Sequence, residues 1–406
     1  MAALFPFRAL RPTPEAAARV AAVPYDVVST DEARALARDP LSFLHVSRAE
    51  IDLPSAVSPY ADEVYQRARQ NFETLRVTAP LVAEDEASLY VYRLTMGGHV
   101  QTGVAGCFGL DDYDGGVIKK HEHTRVDKEN DRTRHMIELR AQTGPVFLTY
   151  RASPEVDTLV ASAMSTSPLF DFEAVDGVRH TVWRAGAAGV APLVSAFARV
   201  PMLYIADGHH RAASASRTRA SLDGAGPAGA YRELDGVLAV AFPDREMQVL
   251  PYNRLVKDFG GRDPQALLTA LRGVCPVREG GSVPPGRGHV SMFLGQEWYD
   301  LTLPAAPAGA SAAGSLDVSR LQDSVLGPLL GIGDPRTDPR IEFLGGARGT
   351  AALEERVRSS TAVAAFSMHP VSVDDLMVVS DAGDIMPPKS TWFEPKLRDG
   401  LLSHLI

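Results

Sequence analysis

Tyr204-Ile205-Ala206-Asp207-Gly208-His209-His210-Arg211 is the stretch on which the reading of this chain turns. Met202 to Ala206 is a short apolar run of the kind that forms a buried strand, and Ala212 to Ala220 is a good helix. Between them a carboxylate ends the strand, a glycine permits a sharp turn, and two imidazoles and a guanidinium open the helix. The first amide N–H groups of a helix are free and its macrodipole is positive there, so this end favours anions. Arg211 adds a planar fork suited to phosphate, and Asp207 could hold Mg²⁺ or polarise a hydroxyl. Ligand sites of open sheets collect at strand carboxyl ends, and this is such a place.

Outward from it, residues 110 to 260 alternate short strands and helices. Val146 to Tyr150 and Gly236 to Phe242 read as buried strands, and Asp127 to Gln142 as a charged helix stopped by Gly144-Pro145. Upstream, Ser29 or Thr30 caps a helix, and Tyr60 to Leu75 is amphipathic, with Val64, Ala68, Phe72 and Leu75 on one face. Ser88 to Leu94 and Gln101 to Phe108 read as a hairpin turning at Gly97-Gly98. Downstream, Glu279 to Gly288 and Pro304 to Gly314 are Gly- and Pro-rich loops on either side of a small strand-rich piece. The expected organisation is an N-terminal α/β section over 1–109, a core over 110–260 and a C-terminal section over 261–406. The fold class is α+β, with a mixed-sheet core.

A second polar stretch is Lys119-Lys120-His121-Glu122-His123-Thr124-Arg125, followed by Asp131-Arg132. If it is extended, His121 and His123 share one face and Glu122 points to the other. Glu122 suits a general base, and Lys120, His121 and Arg132 suit an anion. A third is Met386-Pro387-Pro388-Lys389-Ser390-Thr391-Trp392-Phe393. It echoes a P-loop, but Pro388 stands where the second glycine should be and has no N–H to give, so no Walker cradle forms. Lys389, Ser390 and Thr391 are still suited to touching phosphate from a stiff turn. No G-x-S-x-G elbow and no His-Glu-x-x-His pair occurs.

The 406 residues carry 41 Lys plus Arg against 50 Asp plus Glu, a formal charge of −9. That balance argues against a protein that coats nucleic acid. Two cysteines exclude a disulfide framework and a multi-cysteine zinc site. Neither a spanning apolar run nor a signal peptide is present, so a cytoplasmic protein without membrane contact is expected.

Taken together, Ala22-Val23-Pro24-Tyr25-Asp26-Val27-Val28, Phe43-Leu44-His45-Val46 with Glu50-Ile51-Asp52, His121-Glu122-His123-Thr124, Asp131-Arg132 and the two motifs at Tyr204 and Met386 resemble the domain of unknown function 1015 family over the whole chain. The Asp-Gly-His-His-Arg piece is also similar to the phosphate-handling motif of ParB- and sulfiredoxin-like folds, including free-serine kinases. The resemblance implies a ParB/sulfiredoxin-like core with terminal α/β extensions. It implies a phosphotransferase that uses a nucleotide or pyrophosphate to phosphorylate L-serine with Mg²⁺. His209, His210 and Arg211 would hold the donor phosphates, and Asp207 would sit near metal or hydroxyl. Glu122, Asp207 and His210 form the expected catalytic set. Phosphate contacts are expected from His209, Arg211, Lys120, His121, Arg132, Lys389, Ser390 and Thr391. The competing readings are a ParB-like nucleic-acid-binding protein and a metal-dependent hydrolase using His121, His123, His209 and His210. Partners are a small-molecule substrate and a phosphoryl donor, with the oligomeric state left open.

Overall fold

A computed structural model describes residues 2–78, 81–222 and 232–406. The chain divides into two units, residues 1–247 with 395–406, and residues 248–394. The boundaries differ from those drawn on composition. The section over 1–109 does not stand apart from the one that follows, because strands from both pair in one sheet. The chain leaves that unit after Met247 and returns to it at Pro395.

The first unit is built on a mixed sheet of β1 (Leu4–Phe5), β2 (Tyr90–Met96), β3 (His99–Gly109), β4 (Ile118–Lys119), β5 (Val146–Tyr150), β6 (Phe170–Glu173), β7 (Arg179–Arg184), β8 (Leu203–Asp207) and β9 (Gly236–Pro243). The order is β4-β8-β5-β9-β3-β2-β7-β6, and β1 joins the end of β3. The expected hairpin is present, with Met96 opposite His99 and Gly97 in the left-handed region at φ 58°. Strands β4 and β8 run parallel, with Leu203 opposite Ile118 and Tyr204 opposite Lys119. Their carboxyl ends therefore leave the sheet side by side. β5 and β9 are buried at every position, which explains why they read as continuous apolar runs rather than alternating ones.

Four helices matter to the site. The helix α1 (Thr30–Leu36) is capped as expected by Ser29, in a full capping box with Glu32. The amphipathic α2 (Asp62–Thr78) buries Val64, Ala68, Phe72 and Leu75, and Phe72 meets Phe43 edge to face at 6.2 Å. Of these, the buried Val64, Phe72 and Leu75 side chains each contribute about 1.5–3 kcal/mol. Helix α3 (Val126–Leu139) ends at Arg140 in the left-handed conformation, before the expected stop at Gly144-Pro145. Helix α4 (His209–Leu222) packs on α3 through Ser214, which donates to the Glu129 carbonyl at 3.1 Å, and through an Arg217–Glu129 ion pair at 3.0 Å.

The second unit holds a sheet of six antiparallel-paired strands in the order Val277–Glu279, Glu297–Thr302, His289–Leu294, Ala364–Met368, Tyr252–Val256 and Ile341–Gly345. Leu255, Phe293, Leu353 and Ala365 lie in its core. Trp392–Glu394 pairs with Gln248–Leu250. Among the described residues, no helix is long and apolar enough to cross a membrane. Both cysteines are free and buried.

Candidate active site

Asp207 is the last residue of β8, and Gly208 turns the chain into α4 with φ at 93°. An L side chain rarely adopts that conformation, and a Cβ here would lie 3.1 Å from Arg211 Nε. Gly208→Ala is therefore expected to lower stability by about 1–3 kcal/mol. Urea unfolding checks this, and an unchanged midpoint would show that the turn tolerates a side chain.

The Gly208 N–H donates to Asp207 Oδ1 at 2.9 Å, and Lys396 Nζ donates to Oδ2 at 3.0 Å. Arg211 is 4.0 Å away on the same side. Burial alone would raise the Asp207 carboxyl, but Lys396 and Arg211 outweigh it and hold it well below the ordinary carboxylate range. Arg211 is buried. It donates to the Pro145 carbonyl, and its Nε–H has no hydrogen-bond partner.

The neighbouring strand β4 ends at Lys119, and residues 120–125 form a loop with a bend at Glu122. This corrects the extended reading of the stretch. The alternation of faces fails, and one donor atom from each of His121, Glu122 and His209 falls within 4.8 Å of the others. The His121 and His209 rings meet edge to face at 4.4 Å. The His121 N–H donates to His209 Nε2 at 3.4 Å, and the Arg125 N–H donates to His210 Nε2 at 3.0 Å. Both adjacent histidines of α4 thus receive backbone donors from the β4–α3 loop, which pins the two motifs together. Burial holds His121 down to about 4 and His209 well below the usual imidazole range, so both rings are neutral at pH 7. Neutral rings act on an anion as hydrogen-bond donors rather than as charges.

Lys120 is exposed, with its ammonium 3.7 Å over the Tyr113 ring. His123 is exposed and lies outside the His121–Glu122–His209 group. Arg132 directs its donors elsewhere, with Nε to Asp131 at 2.9 Å and one terminal N–H group to the Ser47 carbonyl at 3.3 Å, and its guanidinium covers the Tyr25 ring at 4.2 Å. Lys389, Ser390 and Thr391 belong to the second unit. There Lys389 has φ 59° with its ammonium 5.6 Å over the Tyr252 ring, and Ser390 is buried and donates to the Pro387 carbonyl at 2.7 Å.

Sequence reasoning did not single out the residues that complete the site from elsewhere in the chain. Lys396 comes from the returning segment, as does Asp399, whose carboxylate packs where a Cβ on Gly144 would fall at 2.4 Å from Oδ1. Asp26 and Asp399 both act electrostatically on Arg211. Three charged residues within four positions, Lys396, Arg398 and Asp399, just ahead of the apolar Leu401-Leu402, were the available signal.

With this geometry in place, the chain belongs to the family described as protein of unknown function (DUF1015), whose model matches residues 4–319. No curated protein matches the chain. Among solved structures it is similar to a free serine kinase in complex with AMP, at 14% identity and a TM-score of 0.37, over 72% of this chain and 91% of that one. A conserved hypothetical protein from Pyrococcus furiosus matches at 14% identity and TM-score 0.37, over 73% and 94%. SbnI from Staphylococcus aureus, with a C-terminal truncation, matches at 10% and 0.37, over 73% and 85%.

Proposed function

We propose that the first unit is a small-molecule phosphotransferase with an alcohol acceptor, free L-serine being the acceptor that the Asp-Gly-His-His-Arg resemblance implies. The observation that carries this reading is one edge of the sheet, where the parallel strands β4 and β8 end together. It gathers a 14-residue helix N-terminus, a buried Arg211 with an unused Nε–H, and the Glu122 carboxylate. Phosphoryl transfer needs mainly positioning and neutralisation of charge, and this set supplies both. Glu122 takes the hydroxyl proton as the acceptor oxygen forms its bond to phosphorus and the donor's bridging P–O bond breaks. Arg211, His209 and His210 donate to the phosphate oxygens, with Lys120 at the rim.

Mg²⁺ does not fit Asp207 as this carboxylate stands. One oxygen accepts the Gly208 N–H, and Lys396 fills the place of a cation on the other. Asp207 in this reading positions Lys396 and Arg211, and Mg²⁺ enters only as part of the donor, as a magnesium–nucleotide or magnesium–pyrophosphate substrate. The deciding experiment incubates pure protein with L-serine, Mg²⁺ and ATP, ADP or pyrophosphate in turn. Phosphoserine detected by mass spectrometry with at least one donor is expected. Its absence with all three, in folded protein, would overturn the reading.

A further inference from the structure

We propose that His121, Glu122 and His209 form a binding site for one divalent transition-metal ion of the zinc class. Donor atoms of all three lie within 4.8 Å of one another, close enough for a small loop adjustment to bring them onto one ion. His121 is 2% exposed, and its Nδ1 is buried with no hydrogen-bond partner. A buried polar atom left so carries an uncompensated desolvation cost, and a metal ion would relieve it. A neutral imidazole carries a lone pair on one of its two nitrogens, and the buried, unpartnered Nδ1 is placed to present it to a metal. His209 Nε2 accepts the His121 N–H at a long 3.4 Å, so its lone pair lies beside the His121 backbone.

Two imidazole nitrogens and one carboxylate suit zinc, cobalt or iron better than magnesium, which prefers oxygen throughout. Three protein ligands would leave a coordination position open. The local backbone explains how sequence neighbours can converge. The bend at Glu122 brings its side chain round beside His121, and His209 is the first residue of α4, at the end of the adjacent parallel strand. This site stands apart from the phosphotransfer reading, and the two compete. An ion bound here holds the carboxylate that the other reading gives to proton abstraction, so zinc is expected to inhibit turnover with the magnesium-bound donor.

The test uses tag-free, chelator-treated, full-length protein titrated with Co²⁺, whose visible ligand-field bands report nitrogen and oxygen coordination. Saturation at one ion per chain is expected, with displacement by Zn²⁺. Affinity should fall at least about 100-fold in Glu122→Gln and in His121→Asn. Glu122→Gln changes a half-buried loop residue without changing its size, so it keeps the test decisive if His121→Asn fails to fold. Zn²⁺ should also raise the melting temperature of the unmodified protein and not that of Glu122→Gln. Absence of the bands, or equal affinity in Glu122→Gln, would overturn the proposal. Phosphoserine formation by the same metal-stripped protein with Mg²⁺ scores the phosphotransfer reading separately.

Discussion

Asp207→Asn is expected to abolish phosphoryl transfer and also to destabilise the protein, whereas Glu122→Gln should do only the first. Asp207 is the counter-charge of Lys396 at 3.0 Å and of Arg211 at 4.0 Å, and both cationic side chains are nearly buried, at 11% and 7% exposure. Removing one partner of a buried pair leaves the other uncompensated, at about 3–5 kcal/mol. Asp207 is itself 26% exposed, which places the expected loss near the lower end, about 3 kcal/mol. For a unit of this size that is a fall of roughly 6–12 °C in melting temperature. The folded carboxyl titrates below its unfolded value, so its contribution is present above about pH 4 and is lost as pH falls through the folded value. The gap between the two proteins should therefore narrow in strong acid. Glu122→Gln should lower transfer by about 10²–10⁴ through loss of the base, with melting little changed. Calorimetry and the phosphoserine assay on both variants check this. Full transfer by Asp207→Asn would remove the motif from the active site, and an unshifted melting temperature would mean that the ion pair holds nothing.

Asp399→Asn should show the opposite sign at neutral and higher pH. Burial pushes the Asp399 carboxyl up to about 7; Arg211 pulls it back in part, and Asp26 pushes it further. An acid raised in the folded state binds its proton there more tightly than in the unfolded chain. Stability is then full below the unfolded value near 4 and declines as pH rises to about 7. One unit is worth about 1.4 kcal/mol, so the rise from 3.8 to about 7 makes the decline of the order of 4 kcal/mol. Asparagine mimics the protonated acid, fits the same space against Gly144 and has no proton to lose. The variant should match the unmodified protein at pH 4 and be more stable by a few kcal/mol at pH 8. Urea midpoints at both values decide, and parallel profiles over that range would refute the assignment.

The elements that sequence made legible are those whose signal is local. The strand into Asp207, the turn at Gly208 and the helix after it follow from apolar run, glycine and helix formers in order. The Ser29 cap and the Gly97-Gly98 hairpin follow in the same way. The Glu122 carboxylate was legible as a candidate base, but its convergence with His121 and His209 was not, because a bend after Lys119 depends on tertiary docking. His209 and His210 accept the His121 and Arg125 amides that fix that bend. Periodicity cannot see such a bond, made across 85 or more residues. Arg132 illustrates the converse. Its charge suggested an anion, while Asp131, Ser47 and Tyr25 occupy it. Lys396 lies just past the proline-rich stretch that ends at Phe393, and nothing local links it to a carboxylate 189 positions earlier.

The chain's return at Pro395 has a consequence for the order of events during synthesis. Residues 1–247 emerge first, yet the short strand Ala9–Pro12, which pairs with Leu81–Ala83 in a smaller sheet, awaits its second partner Ser403–Leu405, and Asp207 awaits Lys396. The earlier unit is thus finished only by residues 395–406, which are translated after the whole second unit. A stop codon just before Pro395 would spare every residue of both sheets' central strands and still leave an aspartate without its lysine.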